Sequence, residues 1–442
     1  MDTLNPGAYD LTRNVHRITL YNTISAEQRH RRNKPRLYLH LDMNCFYAQV
    51  EQVSYDLQGL PLVVGGWRKP DGTPRGIVAT SSYEARKFGV KTGMSAFEAV
   101  QLCPYVVFMQ VHYEKYQAIS KQIREVLDRY AADVEGYSMD EYFLDLTFMI
   151  GHTEDELRRF GQRIKRELYE ATALFCSVGI ARSKTYAKLA SDLVKPNGLT
   201  LVLDEAAERQ LIHPLQLDEV WGIGSRRFAR LEQAGLRTIG EAIAKGRGPF
   251  QKLFGAYFGR MLWETVCGLD RAIVADPPAH VPEEVTYMHT FSQWTTDPEA
   301  VRGEIIKSVR QLCYRMRGYN RRARRFSSYL RFQDESWRGV QIVFATAGLT
   351  NLDDYVTRTA LQALMPVVQH YLRHGQRIRG FGISTLDLDA SGQLELFFRE
   401  DEKLRNLFRA RDTVNNRYGF ESLVIASSFD DVKGKTHFLD RS

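Results

Sequence analysis

The chain has 442 residues, 44% of them apolar and 26% charged, a balance that excludes global disorder and, at this length, predicts about three domains with more than one core. The net charge of +7 and a pI near 9.0 suit a polyanionic partner, and fit a mildly basic solvated surface equally well. Cys45, Cys103, Cys176, Cys267 and Cys313 form no CxxC pair, which argues against a zinc knuckle or a disulfide framework and for a reducing cytoplasm. No apolar run approaches the roughly 20 residues of a membrane span, and the first 34 residues carry no signal-like apolar core, so the expectation is a soluble intracellular protein with no membrane partner.

Taken in chain order, residues 1–34 are polar, end in RHRRNKP and read as a poorly ordered extension. RLYLHLDMNCFYAQVEQ alternates apolar residues into Asp42 and then turns helical, a strand-to-helix junction. A hairpin is predicted around Lys-Pro-Asp-Gly (69–72), then helices through SAFEAVQLC and YEKYQAISKQIREVLDRYAADV. An acidic strand, Tyr142 to Leu146, precedes a helix at 153–172, the strand LFCSVGIA and a helix from Ser183 to Leu193. Alternation of this kind indicates an α/β core. Short helices around Gly222, Gly224 and Gly235 follow, then a Pro-containing linker. Beyond it the pattern runs strand, helix, two strands, helix, strand: a β-α-β unit written twice. The tail holds SGQLELFF and an amphipathic helix.

Asp140 and Glu141 stand side by side where the chain turns into the acidic strand, and Asp42 ends another strand. An adjacent acid pair is ordinarily a solvated turn. Three acids at strand ends, however, could hold two Mg²⁺ ions for in-line phosphoryl displacement, since magnesium takes oxygen ligands and is completed by substrate phosphates. Strand neighbours point to opposite faces, so the pair can share a site only where the backbone turns. Thr80, Tyr83 and Arg86, at i, i+3 and i+6, read as one side of a helix start, a triphosphate cradle or a solvated helix face. Arg182, Lys184, Lys188 and Lys195 read as surface cations or as groups that neutralise a polyanion. GIGSRRFARLEQAGLRTIG resembles a helix-hairpin-helix, whose Gly222 and Gly224 would let the backbone approach a phosphate. Arg321, Arg322, Arg324 and Arg325 crowd one stretch, a solvated basic face or a track along a DNA backbone.

These motifs in order (HLDMNCFYAQVE, ATSSYEARKFGVKTGMS, YSMDEYFLDLT, SVGIARSKTYAKLASDLVKPNG and the GIG hairpin) resemble a Y-family (translesion) DNA polymerase, nearest the bacterial DNA polymerase IV branch, over about residues 36–390. The resemblance implies Asp42, Asp140 and Glu141 as catalytic metal ligands, with the Met43 carbonyl, for two Mg²⁺ per active site that Mn²⁺ can replace. It implies Thr80, Tyr83, Arg86 and Lys195 on the incoming triphosphate. Tyr47, with Phe46 beside it, would form the steric gate that prefers dNTPs to rNTPs. Ile77, Ala79 and Gly93 would leave a roomy pocket around the nascent base pair. Arg182, Lys184, Lys188, Gly222, Gly224 and the four arginines at 321–325 would touch DNA, while Asp145 would be structural. Ser81-Ser82 depart from the family's usual Ala-Asn, which puts the pocket's hydrogen bonding in question.

The implied fold class is an α/β (α+β) multidomain right hand. Its expected parts are an extension (1–34), palm (35–46 and 112–202), fingers (47–111), helix-hairpin-helix thumb (203–274), linker (275–285), duplicated β-α-β little finger (286–390) and tail (391–442). Gln393, Leu394, Leu396 and Phe397 of QLELF resemble a peptide that docks on the bacterial sliding clamp. The expected activity is template-directed extension of a primer 3′-hydroxyl on primer-template DNA across damage, in the bacterial cytoplasm and on the nucleoid when bound, by a monomer without proofreading. A catalytically silent DNA- or clamp-binding adaptor, or a nucleotide cyclase, are the rival classes. The adaptor would have lost an acid, and the cyclase would lack the DNA-type modules.

Overall fold

A computed structural model describes residues 35–270, 272–276, 282–332, 339–389, 402–418 and 422–423. The N-terminal extension and the QLELF peptide lie outside the described residues. The chain divides into two compact units, Met1–Pro278 and Ala279–Ser442.

The first unit is built on a five-stranded sheet in the order β10-β9-β1-β8-β7. Its strands are β1 (Tyr38–Met43), β7 (Val134–Gly136), β8 (Glu141–Asp145), β9 (Cys176–Ala181) and β10 (Leu199–Val202). β1 is central and antiparallel to both neighbours, and helices cover both of its faces, so its residues read as a nearly continuous buried run. Leu39, Leu41 and Met43 pack on one side with Tyr116, Ile123 and Ile164. Those partners come from α4 (Tyr113–Leu127) and α5 (Glu154–Thr172), the latter started by a Thr153–Glu156 capping box. Tyr38 and Phe143 face the other way, against Tyr186, Ala187 and Ala190 of α6 (Lys184–Leu193). Gly179 on β9 lets α6 lie close to the sheet: a Cβ there would stand 2.0 Å from the Ala187 carbonyl oxygen.

After α1 (Phe46–Ser54), a small layer holds β2 (Leu62–Val64) between β5 (Thr80–Ser81) and β6 (Val107–Met109), with the β3–β4 hairpin (Trp67–Arg68, Pro74–Arg75) beside it. Two short helices, α2 (Tyr83–Arg86) and α3 (Ala96–Leu102), complete it. Beyond β10 come α7 (Ser225–Gln233), α8 (Ile239–Lys245), α9 (Gly248–Phe254) and α10 (Ala256–Val266). Ahead of the GIG hairpin lie an α-helical turn, Glu205–Ala207, continued by a π-helical turn, Glu208–Ile212, and a 3₁₀ turn, Leu217–Glu219.

The second unit follows the doubled pattern: β11 (Thr286–Thr295), α11 (Pro298–Gly318), β12 (Arg322–Phe332), β13 (Gly339–Thr350), α12 (Asp353–Arg373) and β14 (Ile378–Thr385). The sheet order is β11-β14-β12-β13, all antiparallel, with β15 (Leu388–Asp389) on β12. Val301, Ile305, Val309, Leu312 and Met316 of α11 and Val356, Ala360, Leu364 and Val368 of α12 repeat every three or four residues, forming the stripes that close the core. The tail helix α13 (Glu402–Tyr418) buries Phe408, Arg411 and Asn415. Arg411 and Arg317 both bind Asp353, and both reach Asp412, a buried four-charge cluster that sequence reading did not anticipate.

Candidate active site

The acids converge because of strand register. Asp42 lies opposite Glu141, His40 opposite Phe143 and Tyr38 opposite Asp145, so all six share one face of the sheet. Asp140 sits in the turn between β7 and β8, where alternation does not apply, and its carbonyl accepts from the Met43 N–H at 2.9 Å. The turn is held by Tyr137 N–H and Ser138 N–H, both donating to the Glu141 carbonyl, and by the Ser138 hydroxyl donating to the Asp140 carboxylate. Burial pushes the Asp42 carboxyl up to about 6, against the pull of Lys195. Burial also raises Asp140, with the Asp42 charge adding to it and the Ser138 hydrogen bond opposing. Asp145 bonds Arg36 and the Thr147 N–H.

The lysines form a stripe on the covering helix. Lys184, Lys188, Ser191 and Lys195 recur at spacings that keep them on one side of α6 and its exit. Each cation meets a carboxylate: Lys184 meets Glu135 at 2.8 and 2.7 Å, Lys188 meets Glu141, and Lys195 meets Asp42 at 2.9 Å and Asp192 at 2.6 Å. Lys184 and Lys188, expected as DNA contacts, are thus paired with Glu135 and Glu141. Lys184 is buried, its side chain 1% exposed, and Lys188 is turned onto an acid of the site. Burial lowers the Lys184 ammonium pKa, and Glu135 opposes the shift.

His40 and Ser138 were missed. His40 is fully buried; its Nδ1 is 2.8 Å from Ser191 Oγ, and its Nε2 has no hydrogen-bond partner and lies 4.0 Å from Glu141. Burial holds its pKa well below the ordinary value. Its signal was the HLD alternation, which places it on the face of Asp42.

On the nucleotide-side positions, Thr80 belongs to β5 and not to a helix, since α2 spans only Tyr83–Arg86. Thr80 donates to the Ala79 carbonyl, Arg86 donates to the Ser81 carbonyl at 3.0 Å, and the Arg86 guanidinium lies 4.9 Å from the Tyr83 ring centroid. The Tyr83 hydroxyl is buried without a partner, and the charges of Arg86, Lys195 and Asp42 all act on it, so these groups are neighbours. Ser81 and Ser82 are buried: one donates to the Val90 carbonyl, the other caps α2. Their hydroxyls therefore serve the local fold. Phe46 is also buried, 2% exposed; Tyr47 is half-buried and stacks on Tyr116 at 4.2 Å. Ile77 is exposed, Ala79 half-buried, and a Cβ on Gly93 would meet nothing within 4 Å.

Of the DNA-side positions, Arg182, Arg324 and Arg325 are exposed, and Arg321 and Arg322 half-exposed. Gly222 adopts φ +85, and Gly224 has open space where a side chain would stand. Trp221, next to that hairpin, packs at 5.8 Å on both Tyr137 and Phe143, beside the acidic turn.

The chemistry of the donors suits a hard cation: carboxylate and carbonyl oxygens, two of the carboxylates already drawing ammonium groups. Among the described residues no three acidic, His or Cys side chains are preset around one point; lysine pairing holds the acids instead. No helix of the described residues is long and apolar enough to cross a membrane.

The impB/mucB/samB family model matches residues 41–192, and the model of that family's C-terminal domain matches 283–396. The chain is 30% identical over 393 residues to DNA polymerase IV of Oceanobacillus iheyensis, covering 88% of this chain and 90% of that one. It is 32% identical over 332 residues to DNA polymerase IV of Corynebacterium diphtheriae, covering 74% and 71%. Among solved structures, a Y-family DNA polymerase chimera of Dbh and Dpo4 superposes with a TM-score of 0.66 at 25% identity, covering 79% of this chain and 98% of that one. The chain belongs to the impB/mucB/samB family, that of the Y-family polymerases. Its enzymatic class is DNA polymerase, and its fold is the mixed helix-and-strand multidomain fold of that family.

Proposed function

We propose that the chain extends a primer 3′-hydroxyl with dNTPs on damaged or distorted template by two-metal chemistry. The observation that carries this reading is the cross-strand pair Asp42–Glu141 with Asp140 in the adjoining turn, under a helix that sets lysines on the acids. Asp42, Asp140 and Glu141, with the Met43 carbonyl, would hold the ions. When bound, two Mg²⁺ ions, replaceable by Mn²⁺, would supply charge that acidifies the primer hydroxyl and neutralises the triphosphate. Arg86, Lys195, Thr80 and Tyr83 would bind the triphosphate, the two cations offsetting charge as pyrophosphate leaves. Tyr47 would exclude a ribose 2′-hydroxyl. Ile77, Ala79 and Gly93 would leave room for a damaged base; Gly93 has open space where a Cβ would stand, and Ala79 carries only a methyl group.

The domain roles follow the same reading: palm 35–46 and 112–202, fingers 47–111, thumb 203–274, little finger 286–390. Arg182, Gly222 and Gly224, with Arg321, Arg322, Arg324 and Arg325, would track the DNA backbone. Gln393, Leu394, Leu396 and Phe397 would dock a bacterial sliding clamp. The enzyme would act as a cytoplasmic monomer without proofreading. Primer extension tests the core claim: Asp140→Ala with Glu141→Ala should abolish extension while DNA binding survives, and retained extension refutes it. Incubation with dNTPs, with and without primed template, separates this reading from an adaptor or a cyclase.

A further inference from the structure

One buried acid near the site has no part in that chemistry. Glu51 lies on α1, four residues and one turn after Tyr47, with its side chain wholly buried. It accepts three bonds from the start of α4: Tyr116 Oη at 2.7 Å, Lys115 Nζ at 2.8 Å and His112 Nδ1 at 3.1 Å. Tyr116 in turn stacks on Tyr47 with centroids 4.2 Å apart and planes 15° apart, while Tyr113 meets Tyr47 edge-on at 6.2 Å. Burial pushes the Glu51 carboxyl up, and the bonds from Lys115, Tyr116 and His112 outweigh it and leave it below the ordinary carboxylate range. A carboxylate is expensive to bury, and one donor fewer would leave it under-satisfied. Its bond to the Tyr116 hydroxyl fixes the ring that backs Tyr47.

We propose that Glu51 is a positioning residue for sugar selection: its carboxylate anchors Tyr116, and the stacked Tyr116 ring holds Tyr47 in place. This rests on the reading of Tyr47 as the gate. A steric gate rejects a 2′-hydroxyl only while its ring cannot tilt away. The α1–α4 contact at Glu51 supplies that stiffness from behind, out of reach of the nucleotide.

The test is single-nucleotide incorporation by the full chain, with kcat/KM measured for a dNTP and the matching rNTP. Glu51→Gln and Tyr116→Phe should each lower the dNTP-to-rNTP ratio by about 3- to 10-fold, the range a lost aromatic-pair restraint would give. Tyr116→Phe deletes one oxygen and carries the test if Glu51→Gln does not fold. The double variant should fall no further than the larger single, because both act through one chain of contacts. A merely structural role lowers both kcat/KM values together; unchanged ratios in the variants overturn the proposal. Tyr47→Ala separates the two claims. If it leaves the ratio intact, the gate reading fails and takes the proposal with it. If it collapses the ratio while Glu51→Gln and Tyr116→Phe do not move it, only the proposal for Glu51 fails.

Discussion

Replacing Lys184 by methionine distinguishes a buried ion pair from a DNA contact. Its ammonium lies 2.8 and 2.7 Å from the two Glu135 oxygens, with the side chains 1% and 3% exposed. At an effective dielectric of about 20, unit charges at that distance attract by roughly 6 kcal/mol. Much of this is offset by removing both charges from water. Deleting the cation alone strands the carboxylate, at a cost of about 3–5 kcal/mol. For a unit of this size that is roughly a 10 °C drop in its thermal transition. Thermal unfolding of the full chain measures it. The double variant Lys184→Met/Glu135→Leu should recover most of the loss, short of the bond Glu135 accepts from the Ala275 N–H. DNA affinity measured over a range of salt supplies the second arm. A phosphate-binding lysine would reduce the slope of log affinity against log salt by about 0.9 when removed; the buried lysine should leave it unchanged. A reduced slope with unaltered stability would refute the reasoning.

In the second unit, Asp353→Asn should lower the denaturant midpoint, by about 3 kcal/mol of stability, because it strips the shared partner from Arg317 and Arg411; equilibrium unfolding with and without residues 402–442 shows whether the loss requires α13. Asp270 sets a pH slope. Burial raises its carboxyl to about 7, against hydrogen bonds from Thr185, whereas the unfolded chain ionises near ~4. Between those values the unfolded state has released a proton that the folded state keeps, so this contribution is present below pH ~4 and lost as pH rises to about 7. Asp270→Asn should flatten that part of the stability profile in denaturant titrations across pH. Replacing Leu396 and Phe397 by Ala should erase stimulation by a sliding clamp and spare basal extension; equal stimulation in the variant removes the clamp reading.

Much of the architecture was readable along the chain. The β1-to-α1 junction at Asp42, the α5 capping box and the β-α-β-β-α-β order of the second unit all follow from apolar period and caps, which are local properties. The three acids were legible too, because charge at the end of an apolar strand is a conflict that local structure cannot resolve. The sliding of Thr80 from helix to strand was not, since its place depends on pairing Ser81 and Thr80 with Val63 and Val64. Phe46 and Tyr47 could not be told apart either: which of two adjacent aromatics is buried depends on what packs against α1.

The order of elements and the identity of the acids thus came from the amino-acid string itself, because turn chemistry and hydrophobic period act between near neighbours. What only the folded molecule decided is the fate of its cations. Lysines at 184, 188 and 195 look like a solvated helix face until Gly179 lets that helix settle against the sheet and each ammonium finds a carboxylate. A charge's role is set by the partner across the packing interface, and residue spacing carries no record of that partner.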